Sequence, residues 1–201
     1  DEHAAAAAAS DDTTDRCSQL EVQAATNWDK FYALHNNRFF KERHWLFTEF
    51  PELLAPASQE DDSGAVYRIL EVGCGNGATF FPLVKANEDR NAFVYGCDFS
   101  STAIDIIQAS SDYDSSRSLA FVLDVASPSA AEFTAQLPDC VTPGSLDCVI
   151  FLFVLSALQP ARHLSSLTHL VKYLRPGGRL LLRDYGRHDL AQLRFKPRRC
   201  L

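Results

Sequence analysis

The sequence predicts an open α/β fold, a mostly parallel sheet with helices on both faces. Three observations carry this. From residue 65 onward, short apolar runs alternate strictly with helix-forming segments, the pattern of βαβ units. Residues 146–155 are a long apolar run, as expected of a central strand buried on both faces. A glycine-rich loop, Gly73-Cys74-Gly75-Asn76-Gly77, follows the first strand of the alternating part and opens a helix.

The elements follow in order. Asn27 is a cap for a helix starting at Trp28, on which Trp28, Phe31 and Tyr32 share one face. Asn36-Asn37 reads as a turn, residues 38–50 as a second helix stopped by Pro51, and the polar stretch 56–64 as a linker. Strands are expected at 66–72, 93–97, 119–123, 146–155 and 179–183. Helices are expected at 77–86, 101–110 capped by Ser100, and 128–137 with Pro128 in the first turn. A fourth helix opens at Pro160, with Leu164, Leu167, Val171 and Leu174 as its apolar stripe. Arg175-Pro176-Gly177-Gly178 reads as a turn before the last strand.

The chain has 201 residues and a net charge of -7, the size of one domain. That balance argues against coating nucleic acid by bulk charge and leaves local patches open. Charge is unevenly placed. Residues 1–15 hold five acids and no Lys or Arg, and read as a disordered tail. Residues 179–201 hold seven bases against Asp184 and Asp189, either a phosphate-facing end or a solvated terminus. The six cysteines are scattered without a C-x-x-C pair, as expected of buried thiols in a reducing compartment. No residue cluster reads as a metal site; His163 and His169 read as helix surface or core. The apolar runs are too short to span a bilayer and the opening is no signal peptide, so a soluble protein is expected. The sequence contains no Met, so residues upstream of Asp1 are expected as well.

The chemistry concentrates at strand ends. Gly73, Gly75 and Gly77 follow the first strand, at the sheet edge where open α/β folds bind ligands. Asp98 ends the second strand, placed to accept from both hydroxyls of a ribose. Asp124 ends the third, placed to accept from an exocyclic amino group such as that of adenine. Each Asp alone serves equally well as a helix cap; the ordered set points to a nucleoside. The G-x-G-x-G spacing differs from the G-x-G-x-x-G that seats a pyrophosphate, which favours S-adenosylmethionine over NAD. Glu71 at the loop entrance is a candidate acceptor for the cationic amino-acid part of that cofactor, and Leu-Arg-Pro-Gly-Gly at 174–178 resembles class I methyltransferases.

A more specific resemblance rests on several blocks. They are Trp28-Asp29-Lys30-Phe31-Tyr32, Arg38-Phe39-Phe40-Lys41-Glu42-Arg43-His44-Trp45-Leu46, Glu49-Phe50-Pro51-Glu52-Leu53 and the loop from Ile69 to Gly77. Cys97-Asp98-Phe99-Ser100, Phe153-Val154-Leu155-Ser156, Arg183-Asp184-Tyr185-Gly186-Arg187 and Leu193-Arg194-Phe195-Lys196 complete the set. Over residues 27–201 the chain resembles the methyltransferase-like tRNA 3-methylcytidine methyltransferases, and within them the branch acting on threonine and arginine tRNAs. The resemblance implies a Rossmann-like class I methyltransferase domain over 65–201, a helical lid and linker over 27–64 and a tail over 1–26. It implies S-adenosylmethionine-dependent methylation of cytidine N3 at position 32 of the tRNA anticodon loop. Cofactor contacts carry over to Trp28, Tyr32, Gly73, Asp98, Asp124, Val125 and Leu152, with Trp28 and Tyr32 as the lid; core packing is the rival reading of that aromatic pair. The family's chain continues further, so about two more strands are expected beyond Leu201, and the activity of this length is in question.

The implied chemistry needs little from a base. Neutral cytidine N3 carries a lone pair and no proton, so alignment and exclusion of water suffice. Asp184 and Tyr185, at the end of the fifth strand, are candidates to stabilise the cationic product, and a turn satisfied by Asp184 is the alternative. Arg38, Lys41, Arg43, His44, Arg187, Arg194 and Lys196 are candidate phosphate contacts, each also readable as a solvated surface charge. The patch is modest, so an accessory tRNA-binding protein or aminoacyl-tRNA synthetase is an expected partner. The expected compartment is the cytoplasm, with the mitochondrion as the alternative. A class I methyltransferase of another substrate, or a shortened binding form without turnover, are the competing functions.

Overall fold

The computed structural model describes residues 23–35, 43, 45–56 and 65–194. The expected turn at Asn36-Asn37, most of the expected helix before Arg43, the linker at 57–64, Cys17 and Cys200 lie outside the described residues, as do Arg38, Lys41, His44 and Lys196.

Five parallel strands are described: β1 (Tyr67–Val72), β2 (Ala92–Asp98), β3 (Ser118–Val122), β4 (Leu146–Leu152) and β5 (Leu174–Arg183). Their order across the sheet is β3-β2-β1-β4-β5. β1 lies at the centre, with Ile69 beside Val94 on one side and Cys148 on the other. Ligand sites in such sheets form where the chain reverses direction across the sheet, here between β1 and β4.

The strands alternate between two cores. Ile69, Val94, Cys148 and Ile150 point to one face, under Phe80, Leu83, Ile104 and Ile107. Leu70, Tyr95, Val149 and Phe151 point to the other, under Phe133, Leu170 and Tyr173. Both faces are covered, which is why β4 is apolar at every position but Asp147.

The helices are α1 (Ala24–His35), α2 (Leu46–Glu49), α3 (Phe80–Ala86), α4 (Ser101–Gln108), α5 (Ala130–Ala135), α6 (Pro160–Val171) and α7 (Leu190–Arg194). Ser100 caps α4 as expected, its Oγ accepting from the Ala103 N–H at 3.2 Å. Several local expectations are corrected. α1 starts at Ala24, so Asn27 lies inside it rather than at its cap. Arg43 precedes α2 instead of lying within a long helix, and Pro51 opens a 3-10 turn, Pro51–Leu53, rather than ending the segment. α5 is capped by Ser129, not opened by Pro128: Ser129 Oγ accepts from the Glu132 N–H, and the two side chains pair.

The stripe expected on α6 is split, with Leu167 half-buried and Leu174, which opens β5, packed against the core. Leu164 is 77% exposed and Val171 53%, while Ser166, His169 and Leu170 are buried. Ser166 is small and donates its hydroxyl to the Arg162 carbonyl, and His169 packs on Phe133 at 5.2 Å. Ser166 satisfies its hydroxyl within the helix, while His169 takes the inner face through its ring with its Nδ1 unpaired, choices apolar spacing does not record. The expected turn at 175–178 is an irregularity within β5, where pairing jumps from Leu146↔Leu174 to Cys148↔Arg179.

The segment before β1 shares the sheet's core, since Leu46 and Leu53 are fully buried in it. Asn87 at the end of α3 ties it down: its side chain donates to the carbonyls of Leu53 and Leu83 and accepts from the Ala55 N–H at 2.7 Å. Arg179–Glu52 and Arg183–Glu49 join β5 to the same segment, partly exposed pairs that add little stability. Cys74, Cys97 and Cys148 are buried free thiols, as expected; Cys140 is exposed.

Candidate active site

The strands deliver their carboxyl ends to one rim. The N–H groups of Gly73 and Cys74 both donate to the Cys97 carbonyl, folding the glycine loop against β2. Gly73 has φ +68°, and a Cβ there would meet Val154 Cγ2 at 2.3 Å. Only glycine passes between β1 and the end of β4 at this point. Gly75, at φ +53°, leaves room for the Tyr32 hydroxyl, which lies 2.8 Å from where its Cβ would be. Gly77 also has a positive φ and shapes the loop's exit.

Asp98 is held by that loop. Its Oδ2 accepts from the Gly75 N–H at 2.9 Å and its Oδ1 from the Ser100 N–H at 3.0 Å. Burial pushes its pKa up, while the N–H donors of Ser100, Gly75 and Phe99 oppose the shift. Asp98 therefore braces the loop and the start of α4, and lines a cleft of about 350 Å³. Asp124 lines the same cleft, its Oδ1 accepting from the Ala126 N–H at 2.8 Å.

Trp28, Tyr32, Gly73, Val125 and the two Asp residues are brought together on the cleft wall. Trp28 and Tyr32 stack with ring centres 5.7 Å apart, an aromatic roof of one helical turn. Burial, then the nearby Asp98, raises the Tyr32 phenol well above its ordinary pKa, so it is a neutral hydroxyl. Phe99, Leu123 and Leu158 supply apolar walls, and Gln159 and Arg162 line the side formed by α6. Such a space suits a flat, apolar-faced ring system with hydroxyls and an amino group at its edges. The sequence reading missed Phe99, Gln159 and Arg162; Phe99 directly follows the end of β2, a signal that points to it, while Gln159 and Arg162 lie at the start of α6 and carry no such mark.

Gly75, Gly77, Glu71 and Leu152 are not among the residues on the cleft wall. Leu152 belongs to the core. Glu71 is buried beneath the loop, bonded to the Thr79 side chain and facing Arg43. Burial pushes its pKa up to about 8 despite the attraction of Arg43, and burial also lowers that of Arg43. Both groups are shifted towards neutrality, so desolvation outweighs their pairing.

A second cluster occupies the rim above β4 and β5. Phe153 has φ +57°, a strained value for a bulky residue. The Arg43 guanidinium lies 4.8 Å from its ring centre and the Tyr185 ring 4.9 Å away. Arg183 sits 4.0 Å over Trp45. Asp184 Oδ2 accepts from the Ser156 N–H at 2.8 Å and Oδ1 from the Tyr185 N–H at 2.7 Å. Both Asp184 oxygens thus brace the backbone, the turn role named as its alternative. Tyr185 is 57% exposed. Arg187 and Arg194 are exposed on the segment after β5. Among the described residues, no group of three or more His, Cys, Asp or Glu is placed to hold a metal ion, and no helix is long and apolar enough to cross a membrane.

Comparison with known proteins places this geometry. A model of the methyltransferase domain matches residues 70–180. The chain is 47% identical to the tRNA N(3)-cytidine methyltransferase METTL2 of Danio rerio, over 91% of this chain and 58% of that protein. It is 44% identical to the METTL2 of Xenopus tropicalis, over 91% and 61% respectively. It is 39% identical to the tRNA(Thr) (cytosine(32)-N(3))-methyltransferase of Saccharomyces cerevisiae, over 88% of this chain and 27% of that one. The chain thus spans little more than half the length of the METTL2 relatives. Among solved structures, the DhpI complex aligns with a TM-score of 0.55 at 15% identity, covering 90% of this chain and 73% of that one, a likeness of fold. On the domain match, and with relatives that carry the very name the sequence blocks resemble, the chain belongs to the methyltransferase-domain family.

Proposed function

We propose that the chain is the cofactor-binding part of an S-adenosylmethionine-dependent enzyme that forms 3-methylcytidine at position 32 of threonine-type tRNAs. The cleft carries the cofactor part of this reading: two strand-end carboxylates, Asp98 and Asp124, face one aromatic-roofed space. The residues fit the cofactor. Asp98 accepts from the Gly75, Ser100 and Phe99 N–H groups and keeps a remaining lone-pair site for a ribose hydroxyl. Asp124 accepts from the adenine amino group, with Leu123 and Val125 against the ring. The names of the relatives support the substrate part.

When bound, S-adenosylmethionine supplies a methyl group on a cationic sulfur. The chain's own residues hold and orient. Trp28 and Tyr32 roof the cleft and keep water out. Cytidine N3 has no proton to lose at neutral pH, so no residue needs to act as a base. The Tyr185 ring on Phe153 offers an aromatic face to a ring that becomes cationic. Asp184 fixes the turn after Phe153 from both oxygens, so its part is positioning, and its negative charge adds to the field at that rim. A loop cytidine leaves its stack at lower cost than a paired one, which suits a site at an open rim.

Among the described residues Arg43, Arg183, Arg187 and Arg194 are the phosphate contacts of this reading, and Arg38, Lys41, His44 and Lys196 join them on sequence grounds alone. We keep an accessory tRNA-binding protein or synthetase as the partner that adds selectivity. We also keep the cytoplasm as the compartment, a reading the buried free thiols support.

The test is transfer of labelled methyl from S-adenosylmethionine to a threonine tRNA transcript, beside a transcript with uridine at position 32. Incorporation as 3-methylcytidine into the first alone is the expected result. Transfer to both transcripts equally, or only to a protein or small-molecule acceptor, contradicts the substrate.

A further inference from the structure

We propose that Asp29 is the latch of the cleft's roof, a positioning residue that holds α1 in place through Ser100 and so sets how tightly the cleft retains its nucleoside. The inference rests on the cofactor reading above. One turn of α1 carries both functions. Trp28 and Tyr32 line the cleft. Asp29, about 100° further round the helix, meets the start of α4.

There its Oδ1 accepts from the Ser100 hydroxyl at 2.5 Å and from the Thr102 N–H at 3.3 Å. Ser100 is itself buried, and its N–H donates to Asp98. One serine therefore joins two carboxylates, Asp98 in the cleft and Asp29 on the roof. The two acids repel, and the charge of Asp29 helps to raise the pKa of Asp98. The α4 N-terminus, whose Thr102 N–H donates to Asp29, offsets that repulsion.

The rest of α1 offers little other grip. Ala25, Thr26, Asn27, Lys30, Ala33 and Leu34 are exposed, and α4 is its main neighbour among the other elements. Without the latch, α1 is held chiefly by its aromatic face. A smaller fraction of molecules then has the roof closed, and apparent affinity falls by that fraction. A half-buried, charge-assisted contact of this kind is worth about tenfold in such an equilibrium.

The chain has two tryptophans, so Trp45→Phe leaves Trp28 as the sole fluorescent reporter of the roof. In that background, S-adenosylhomocysteine is titrated into the 201-residue chain and into Asp29→Ala and Asp29→Asn. Asp29→Ala is expected to bind about tenfold more weakly, chiefly through faster dissociation, with Trp28 more open to acrylamide quenching before ligand is added. Asp29→Asn keeps an acceptor oxygen and is expected to fall between the two. Circular dichroism and melting of the ligand-free variants separate this from unfolding. Equal affinity and equal quenching in all three chains overturn the latch alone. A weaker Asp29→Ala that has lost its fold, beside an Asp29→Asn that binds and quenches normally, also overturns it. A folded unsubstituted chain that does not bind overturns the cofactor reading, and the latch with it.

Discussion

Two stretches of the same rim are built in different ways. Above β1, β2 and β3 the site is set by backbone. Gly73, Gly75 and Asp98 are locked to one another by N–H donors and by close approaches that admit no Cβ. Above β4 and β5 it is set by long side chains. Arg43 and Arg183 lie over Phe153 and Trp45, and Asp184 braces the strained turn that presents Phe153. A backbone site is preorganised and intolerant of added atoms. A site of cations on rings adjusts to a large, flexible ligand and loses a little with each change. The first stretch suits a small cofactor held the same way each time, the second a nucleic acid.

The sharpest test of that contrast is Gly73→Ala. Its φ and the contact with Val154 together cost about 3 kcal/mol, a Tm drop of about 6–12 °C. Because Val154 lines the cleft, affinity for S-adenosylhomocysteine is expected to fall more than about a hundredfold. Calorimetry that finds normal binding by the variant removes the glycine from the design of the site.

Glu71 tests the boundary between the two stretches. The unfolded chain releases its proton near pH 4.5, while the folded chain keeps it to about pH 8. The folded state then binds the extra proton between those values, so Glu71 lowers stability as pH rises from about 4.5 to about 8. The loss is on the order of a few kcal/mol. Glu71→Gln, neutral throughout, is expected to flatten the fall of Tm over that window. Parallel Tm profiles for the two chains contradict a buried, proton-holding Glu71.

Asp184 separates bracing from charge. Asp184→Ala frees two backbone N–H groups and is expected to lower kcat about tenfold, with the KM for S-adenosylmethionine unchanged. Asp184→Asn keeps an acceptor and is expected to retain most turnover. Equal losses in both variants make the charge, not the brace, the working part. The smallest effect is expected from Arg187→Ala: tRNA affinity about threefold weaker, and a slope of log affinity on log salt shallower by about one. A slope that does not move removes Arg187 from the phosphate contacts.

Much of the backbone-built stretch was legible beforehand. All five strands fall where alternation and apolar runs put them, and Gly73, Asp98 and Asp124 follow from their places at strand ends. Trp28 and Tyr32 follow from spacing on one helix face, and both line the cleft, Tyr32 while buried. The other stretch was legible only by resemblance. Arg43 meets Phe153 across more than a hundred residues of chain, and nothing local to either marks the pairing. Glu71, placed by its position at the loop entrance, and Leu152, carried over by resemblance, both adjoin the rim in sequence and are buried away from the cleft wall. The inner face of α6 was misread because a self-bonded Ser166 and a His169 ring packed on Phe133 occupy it, and apolar spacing registers neither.

The most direct measurement is calorimetric titration of S-adenosylmethionine into the 201-residue chain, beside Asp98→Ala. Saturable one-to-one binding, weakened about a hundredfold or more by the substitution, is the expected result. A folded chain that takes up no S-adenosylmethionine, or binding that Asp98→Ala leaves unchanged, would contradict a nucleoside held by Asp98 at this rim.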